Sequence, residues 1–182
     1  MNLVEGRKTG LKPADKLPGS AIIAAIKDAG IEFVLAVPDF TTSEGLLFPI
    51  AADPAFRLVR VCKEDEAIGI SAGLSYCNRR SLVLIQHTGL LDSINALRGV
   101  AVEFGLPICM MVGLLKKEPG VEPTKSSQYG VRIVEPILDA MGISHHRLET
   151  EIDVAKIRPA IDHAYARSAP VALLIGRSPT PP

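Results

Sequence analysis

Hydrophobic positions along the chain alternate between two periods. Residues 20–29 set Ile22, Ile23 and Ile26 on one face of a 3.6-residue repeat and close at Gly30, and the unbroken run Phe33-Val34-Leu35-Ala36-Val37 follows. The pair predicts a helix and then a buried strand. Pro38 ends that strand, Thr42 or Ser43 can cap a helix reaching about Ala52, and the β-branched segment 56–61 predicts a second strand. The unit recurs as helix 64–77, strand 81–85, helix 92–103 and strand 106–112, and then as helix 131–141, strand 143–147, helix 154–167 and strand 171–175. Strands that are apolar throughout must be covered on both faces. The expectation is therefore an α/β fold, a three-layer α/β/α domain over residues 17–182 with a parallel sheet of about six strands. Residues 1–16, rich in Lys, Gly and Pro without an apolar period, predict an N-terminal arm. Segment 115–128 has neither period and predicts a long loop, of the kind that serves as a lid or a partner contact.

Composition narrows the function. With 47% hydrophobic residues among 182, the chain can fill a core, while 20 basic and 20 acidic side chains cancel to a formal charge of +0. Such a balance leaves no field of one sign for a phosphate polymer or an anionic bilayer, which argues against nucleic acid and membrane partners. No apolar run approaches the roughly 18 to 20 residues of a bilayer span, and the N-terminus has no signal-like apolar core, so a cytoplasmic protein is expected. Three cysteines, Cys62, Cys77 and Cys109, without C-x-x-C spacing predict buried thiols in a reducing compartment rather than a disulfide frame or a zinc site.

Ligands of open parallel sheets lie beyond the carboxyl ends of the strands. The segments there are Pro38-Asp39-Phe40, Cys62-Lys63-Glu64-Asp65-Glu66, Gln86-His87-Thr88-Gly89 and Gly113-Leu114, the first three notably polar. No G-x-x-x-x-G-K-[ST] or G-x-G-x-x-G follows any strand, which argues against ATP and NAD. The acidic trio 64–66 either complements a helix dipole or sets an acid at a ligand-facing helix end. The helix behind it carries Ala67, Gly69, Ser71, Ala72, Gly73 and Ser75, although each interior glycine costs about 1 kcal/mol relative to alanine. Those small residues imply close approach, either to the sheet or to another subunit.

Val37-Pro38-Asp39-Phe40, Lys63-Glu64 leading into Ala67-Ile68-Gly69-Ile70-Ser71-Ala72-Gly73, and Gln86-His87-Thr88-Gly89 with Ser93-Ile94-Asn95-Ala96-Leu97 together resemble the pyrimidine-binding domain of thiamine diphosphate-dependent 2-oxoacid decarboxylases. Within that superfamily the likeness, over residues 20–176, is to the α subunit of sulfopyruvate decarboxylase and the matching part of phosphonopyruvate decarboxylase. The resemblance implies a thiamine diphosphate-binding fold. It also implies that one glutamate, in register Glu64, hydrogen-bonds N1′ of the cofactor's aminopyrimidine and favours its imino tautomer. A carboxylate suits that task because it can share a proton with a ring nitrogen in a site sheltered from water.

By the same resemblance Asp39 follows the first strand as an acidic residue does in some decarboxylases, where it assists proton traffic; capping the helix near Ser43 is the alternative. His87 stands where the nearest relatives tend to carry Asn, and either contacts an anionic substrate, donates a proton, or only bonds neighbouring backbone. Pro38, Gln86, Thr88 and Gly89 are expected to shape the cofactor pocket, Gly89 by allowing close backbone approach. His145 and His146 lack metal-ligand spacing and predict a surface or packing role. The superfamily's magnesium and diphosphate site is marked by Gly-Asp-Gly, which this sequence lacks. The expectation is thus a hetero-oligomer, with a β subunit holding Mg2+ and the diphosphate, acting on a small anionic 2-oxoacid such as 3-sulfopyruvate. A phosphonopyruvate decarboxylase-like enzyme, another decarboxylase or carboligase subunit, and a noncatalytic interaction module are the alternatives.

Overall fold

The apolar runs resolve into strands β1 (Phe33–Ala36), β2 (Arg57–Arg60), β3 (Ser81–Gln86), β4 (Cys109–Gly113), β5 (Ser144–Leu148) and β6 (Val171–Ile175). In the computed structural model of the chain, which describes residues 16–182, these form one six-stranded sheet of order β2-β1-β3-β4-β6-β5. Every pair is parallel. The predicted arm lies outside the described residues apart from Lys16.

Helix α1 (Gly19–Asp28) precedes β1, and α2 (Phe48–Ala52) is entered through a π turn at Ser43–Leu47. Then come α3 (Glu64–Tyr76), α4 (His87–Asp92) and α5 (Ile94–Ala96), the last continuing as a π turn over Leu97–Val102. Helices α6 (Tyr129–Ala140) and α7 (Ile157–Arg167) flank β5.

Alternate residues of the central strands feed two cores. Leu82, Leu84, Cys109, Met111 and Leu173 pack with α1, α2 and α7 on one face. Val83, Ile85, Met110, Val112 and Leu174 pack with α3, α4 to α5 and α6 on the other. Each fully buried aliphatic chain contributes about 1.5–3 kcal/mol, which is why β4 and β6, buried at every residue, needed continuous apolar sequence. The C-terminal segment returns to the start of the fold: the Thr180 N–H donates to the Leu17 carbonyl at 2.9 Å, and the Gly19 N–H to the Thr180 carbonyl at 3.0 Å.

Three expectations are corrected. Residues 86–91, left between the expected strand 81–85 and helix 92–103, are not irregular: helix α4 starts at His87, and the buried residues His87, Leu90, Leu97 and Ala101 continue one helical stripe through them. Strand β4 starts at Cys109 rather than at residue 106; Pro107 has no N–H to offer a ladder there. Of the three thiols only Cys109 is buried, its pKa pushed up to about 12 by that burial. Cys62, in the turn from an edge strand, and Cys77, at the end of α3, are exposed. Among the described residues no helix is long and apolar enough to cross a membrane.

Candidate active site

From β1 the chain crosses to β2 on one side and then returns to β3 on the other, so the carboxyl ends of β1 and β3 bound a crevice. Register aligns Ala36 with Leu84 and Gln86 with Gly113, which brings the polar segments after β1, β2 and β3 to one rim of the sheet.

The acidic trio divides by partner. Glu66 folds back so that its Oε2 accepts the N–H groups of Cys62 at 3.0 Å and Lys63 at 3.3 Å, closing the first turn of α3. Asp65 accepts from Lys63 Nζ at 3.2 Å, and the same ammonium lies 3.3 Å from Asp92. Glu64 is half-buried and, among the described residues, its side chain makes no hydrogen bond and no ion pair. Its side chain occupies the space above Gly89, where an added Cβ would fall 2.2 Å from Oε1 and 2.3 Å from Cγ. Any other residue at 89 would evict it.

Asp39 is committed to its own turn. Its Oδ1 accepts the N–H groups of Thr41 at 2.6 Å and Thr42 at 2.8 Å, its Oδ2 accepts the Thr42 hydroxyl at 2.5 Å, and its N–H donates to Ser43 Oγ at 3.1 Å. This is the capping alternative, at the entry to the π turn before α2. Pro38 and Glu44 line a shallow cavity of about 390 Å3 beside it, together with Phe48 and with Phe40, which is 91% exposed.

His87 is buried, and its Nδ1 accepts the Leu115 N–H at 3.3 Å, so the ring bonds backbone. Burial holds its pKa below the ordinary 6.5, while the Gly113 backbone and the charge of Asp39 pull the other way. The Nε2 edge of the ring fills the space over Gly130, where a Cβ would lie 2.8 Å away. Through these contacts His87 ties the start of α4 to segment 115–128 and to α6. Gln86 Nε2 donates to Thr88 Oγ1 at 2.9 Å, with Thr88 exposed at the rim. Sequence reasoning passed over Thr41, which is buried against the end of β4 with its hydroxyl unpartnered. A hydroxyl one step past an apolar strand and its turn was the only available signal.

Segment 115–128 is strapped down. The fully buried Lys117 ammonium bonds Glu149 Oε1 at 2.8 Å and the Glu118 carbonyl at 3.1 Å. The Glu118 carboxylate accepts the Ser126 hydroxyl at 2.6 Å and the N–H and hydroxyl of Ser127, and these bonds lower its pKa to about 2. Arg147 clamps Glu122 in this segment and Glu135 in α6.

No family model matches the chain. Against curated proteins it is 31% identical over 159 residues to sulfopyruvate decarboxylase subunit alpha of Methanocaldococcus jannaschii, covering 85% of this chain and 90% of that relative. The chain belongs to the sulfopyruvate decarboxylase α-subunit family. Two further members of the family match over 92 residues each. The subunit alpha of Methanothermobacter thermautotrophicus is 36% identical over 50% of this chain and 55% of its own length. That of Methanococcus maripaludis is 30% identical over 50% and 54%. The chain thus matches about half the length of these two relatives and nine-tenths of the first.

Proposed function

We propose that this chain is the α subunit of a heteromeric, thiamine diphosphate-dependent decarboxylase that converts 3-sulfopyruvate to sulfoacetaldehyde and CO2. The observation that carries the reading is Glu64: it is the one acid of its trio that the fold leaves without a partner, seated on a glycine where any Cβ would displace it. An aminopyrimidine fits such a group, because its ring nitrogen needs a carboxylate that is sheltered and not already bonded. Bound there, thiamine diphosphate would supply a carbon nucleophile and an electron sink for loss of CO2.

Glu64 would share a proton with the ring nitrogen, and its half-buried position would strengthen that bond relative to bulk water. Gly89 fixes where the carboxylate sits. Pro38, Gln86 and Thr88 border the pocket. Asp39 and His87 act by position, the first holding the Pro38–Phe40 turn and the second holding α4 against the strap. In this reading neither transfers a proton to substrate.

A partner chain is supported by the outer face of α3. Gly69 and Gly73, with Gly99 of the neighbouring π turn, have nothing within 4 Å of an added Cβ, so these glycines face outward and do not serve packing on the sheet. Around them Ile70 and Val102 are exposed, and Tyr76 and Phe104 are each 71% exposed. We assign this face to the β subunit, which would bring Mg2+ and the diphosphate site. The names of the relatives, "subunit alpha", imply a partner subunit of some kind.

Reconstitution with a β chain, thiamine diphosphate and Mg2+ tests the proposal. Release of CO2 from 3-sulfopyruvate should exceed that from phosphonopyruvate and pyruvate, and Glu64→Gln should lower it by about 10²–10⁴-fold with the complex intact. An unchanged rate in Glu64→Gln would leave a noncatalytic module as the better reading.

A further inference from the structure

At the opposite end of the sheet from the crevice, the amino ends of β5 and β6 open into a groove of about 1110 Å3. Three of the chain's four histidines, His145, His146 and His163, line it together with Lys156 and Arg167. In a chain of zero formal charge this is a local concentration of cationic and protonatable groups drawn from three elements: β5, the 3-10 turn Glu151–Lys156, and α7.

Their in-chain partners are few. Lys156 bonds Asp153 Oδ1 at 2.7 Å within its own turn and donates to the Arg147 carbonyl of β5 at 3.4 Å. From α6, Asp139 stands at the rim, 70% exposed and 3.8 Å from His145 Nδ1. On α7, Asp162 is taken by Arg80 and Arg158. Among the described residues the side chains of His146, His163 and Arg167 make no hydrogen bond and no ion pair. His146 is held below its usual pKa, first by burial and then by His145, Lys156 and His163, so groups of one sign crowd it with no answering carboxylate. Ala160, Ala164, Pro170 and Val171 give the groove an apolar floor.

We propose that this groove binds a small organic anion, a phosphate or sulfonate, with His146, His163, Lys156 and Arg167 holding the anionic group and the apolar floor receiving its carbon body. Arg167 offers a planar fork for two oxygens, and Lys156 adds a point charge. A bound anion favours the protonated form of His146 beside it, so affinity rises as pH falls and weakens with ionic strength. The site is separate from Glu64 and does not depend on the reading given for the crevice.

Histidine ring resonances of the full chain, titrated with pyrophosphate, glycerol phosphate and ethanesulfonate in turn, test it. Either phosphate should shift His146 and His163 and bind about tenfold more tightly at pH 6 than at pH 8; response to the sulfonate alone would assign the site to sulfonates. The double variant His163→Glu, Arg167→Glu replaces two exposed, unpartnered side chains. It should lower affinity at least about tenfold, with melting temperature and basal decarboxylation in the reconstituted complex unchanged. The proposal is overturned if no probe at millimolar concentration moves His146 and His163, if only His87 responds, or if the double variant binds as before. Loss of turnover in Glu64→Gln bears on the crevice alone.

Discussion

The two halves of one sheet rim treat charge in opposite ways. Beyond β4 and β6, each acid of the strap and its neighbours is answered from within the chain: Glu149 by Lys117, Glu118 by Ser126 and Ser127, and Glu122 and Glu135 by Arg147. Beyond β1 and β3 the fold answers Asp39, Asp65 and Glu66 but leaves Glu64 open over a glycine and the Thr41 hydroxyl buried without a partner. Charge satisfied internally holds backbone in place. Charge left open in a shaped seat is available to a ligand.

If that contrast is correct, substitutions on the two sides should separate activity from stability. Gly89→Ala displaces the Glu64 carboxylate without touching it chemically, and decarboxylation by the reconstituted complex should fall about 100-fold, the scale of a 1 Å misplacement. The melting temperature should change little, because the obstructing atoms belong to a flexible side chain. A variant with full turnover would mean that the seat is irrelevant.

On the satisfied side, Lys117→Met leaves Glu149 without its partner. Glu149 is 24% exposed, so the loss falls below that of a fully buried pair, about 2–3 kcal/mol by urea unfolding. Retained stability would show that the strap carries no load. Within the trio, Glu66→Gln weakens the helix cap by roughly 0.5–1 kcal/mol and should leave turnover intact, which sets it against Glu64→Gln only two positions away.

The smallest effect concerns pH. His87 has a folded-state pKa below its ordinary 6.5, so between the two values the unfolded chain binds more protons. The stability this supplies is complete above about pH 6.5 and is lost as pH falls toward the folded value. His146 is shifted the same way and adds the same sign. Melting curves between pH 5 and 7.5 should therefore show a slope that shrinks, without vanishing, in His87→Gln. An unaltered slope would mean that burial does not hold the His87 pKa below its ordinary value.

The Gln86–Gly89 segment shows how a local reading fails. Gly89 looks like loop punctuation in sequence, yet it is a helix residue whose missing side chain makes room for Glu64. The glycines of α3 invite a similar misreading: their cost to the helix is visible, but whether they face sheet or solvent is not. Cys62 and Cys77 were expected inside on composition, and their places at an edge-strand turn and a helix end expose them.

Sequence alone determined the alternation of helix and strand, the parallel sheet, the carboxyl-end segments and the family likeness. The first three rest on periodicity or spacing, which are properties of near neighbours along the chain, and the likeness rests on the particular motif residues that carry it. Only the tertiary structure decided which acid of the trio stays free, that His87 binds the Leu115 backbone, that the long loop is strapped, and that three histidines share one groove. Those outcomes depend on partners brought together from distant parts of the chain, and charge compensation is settled by who arrives beside a group in space.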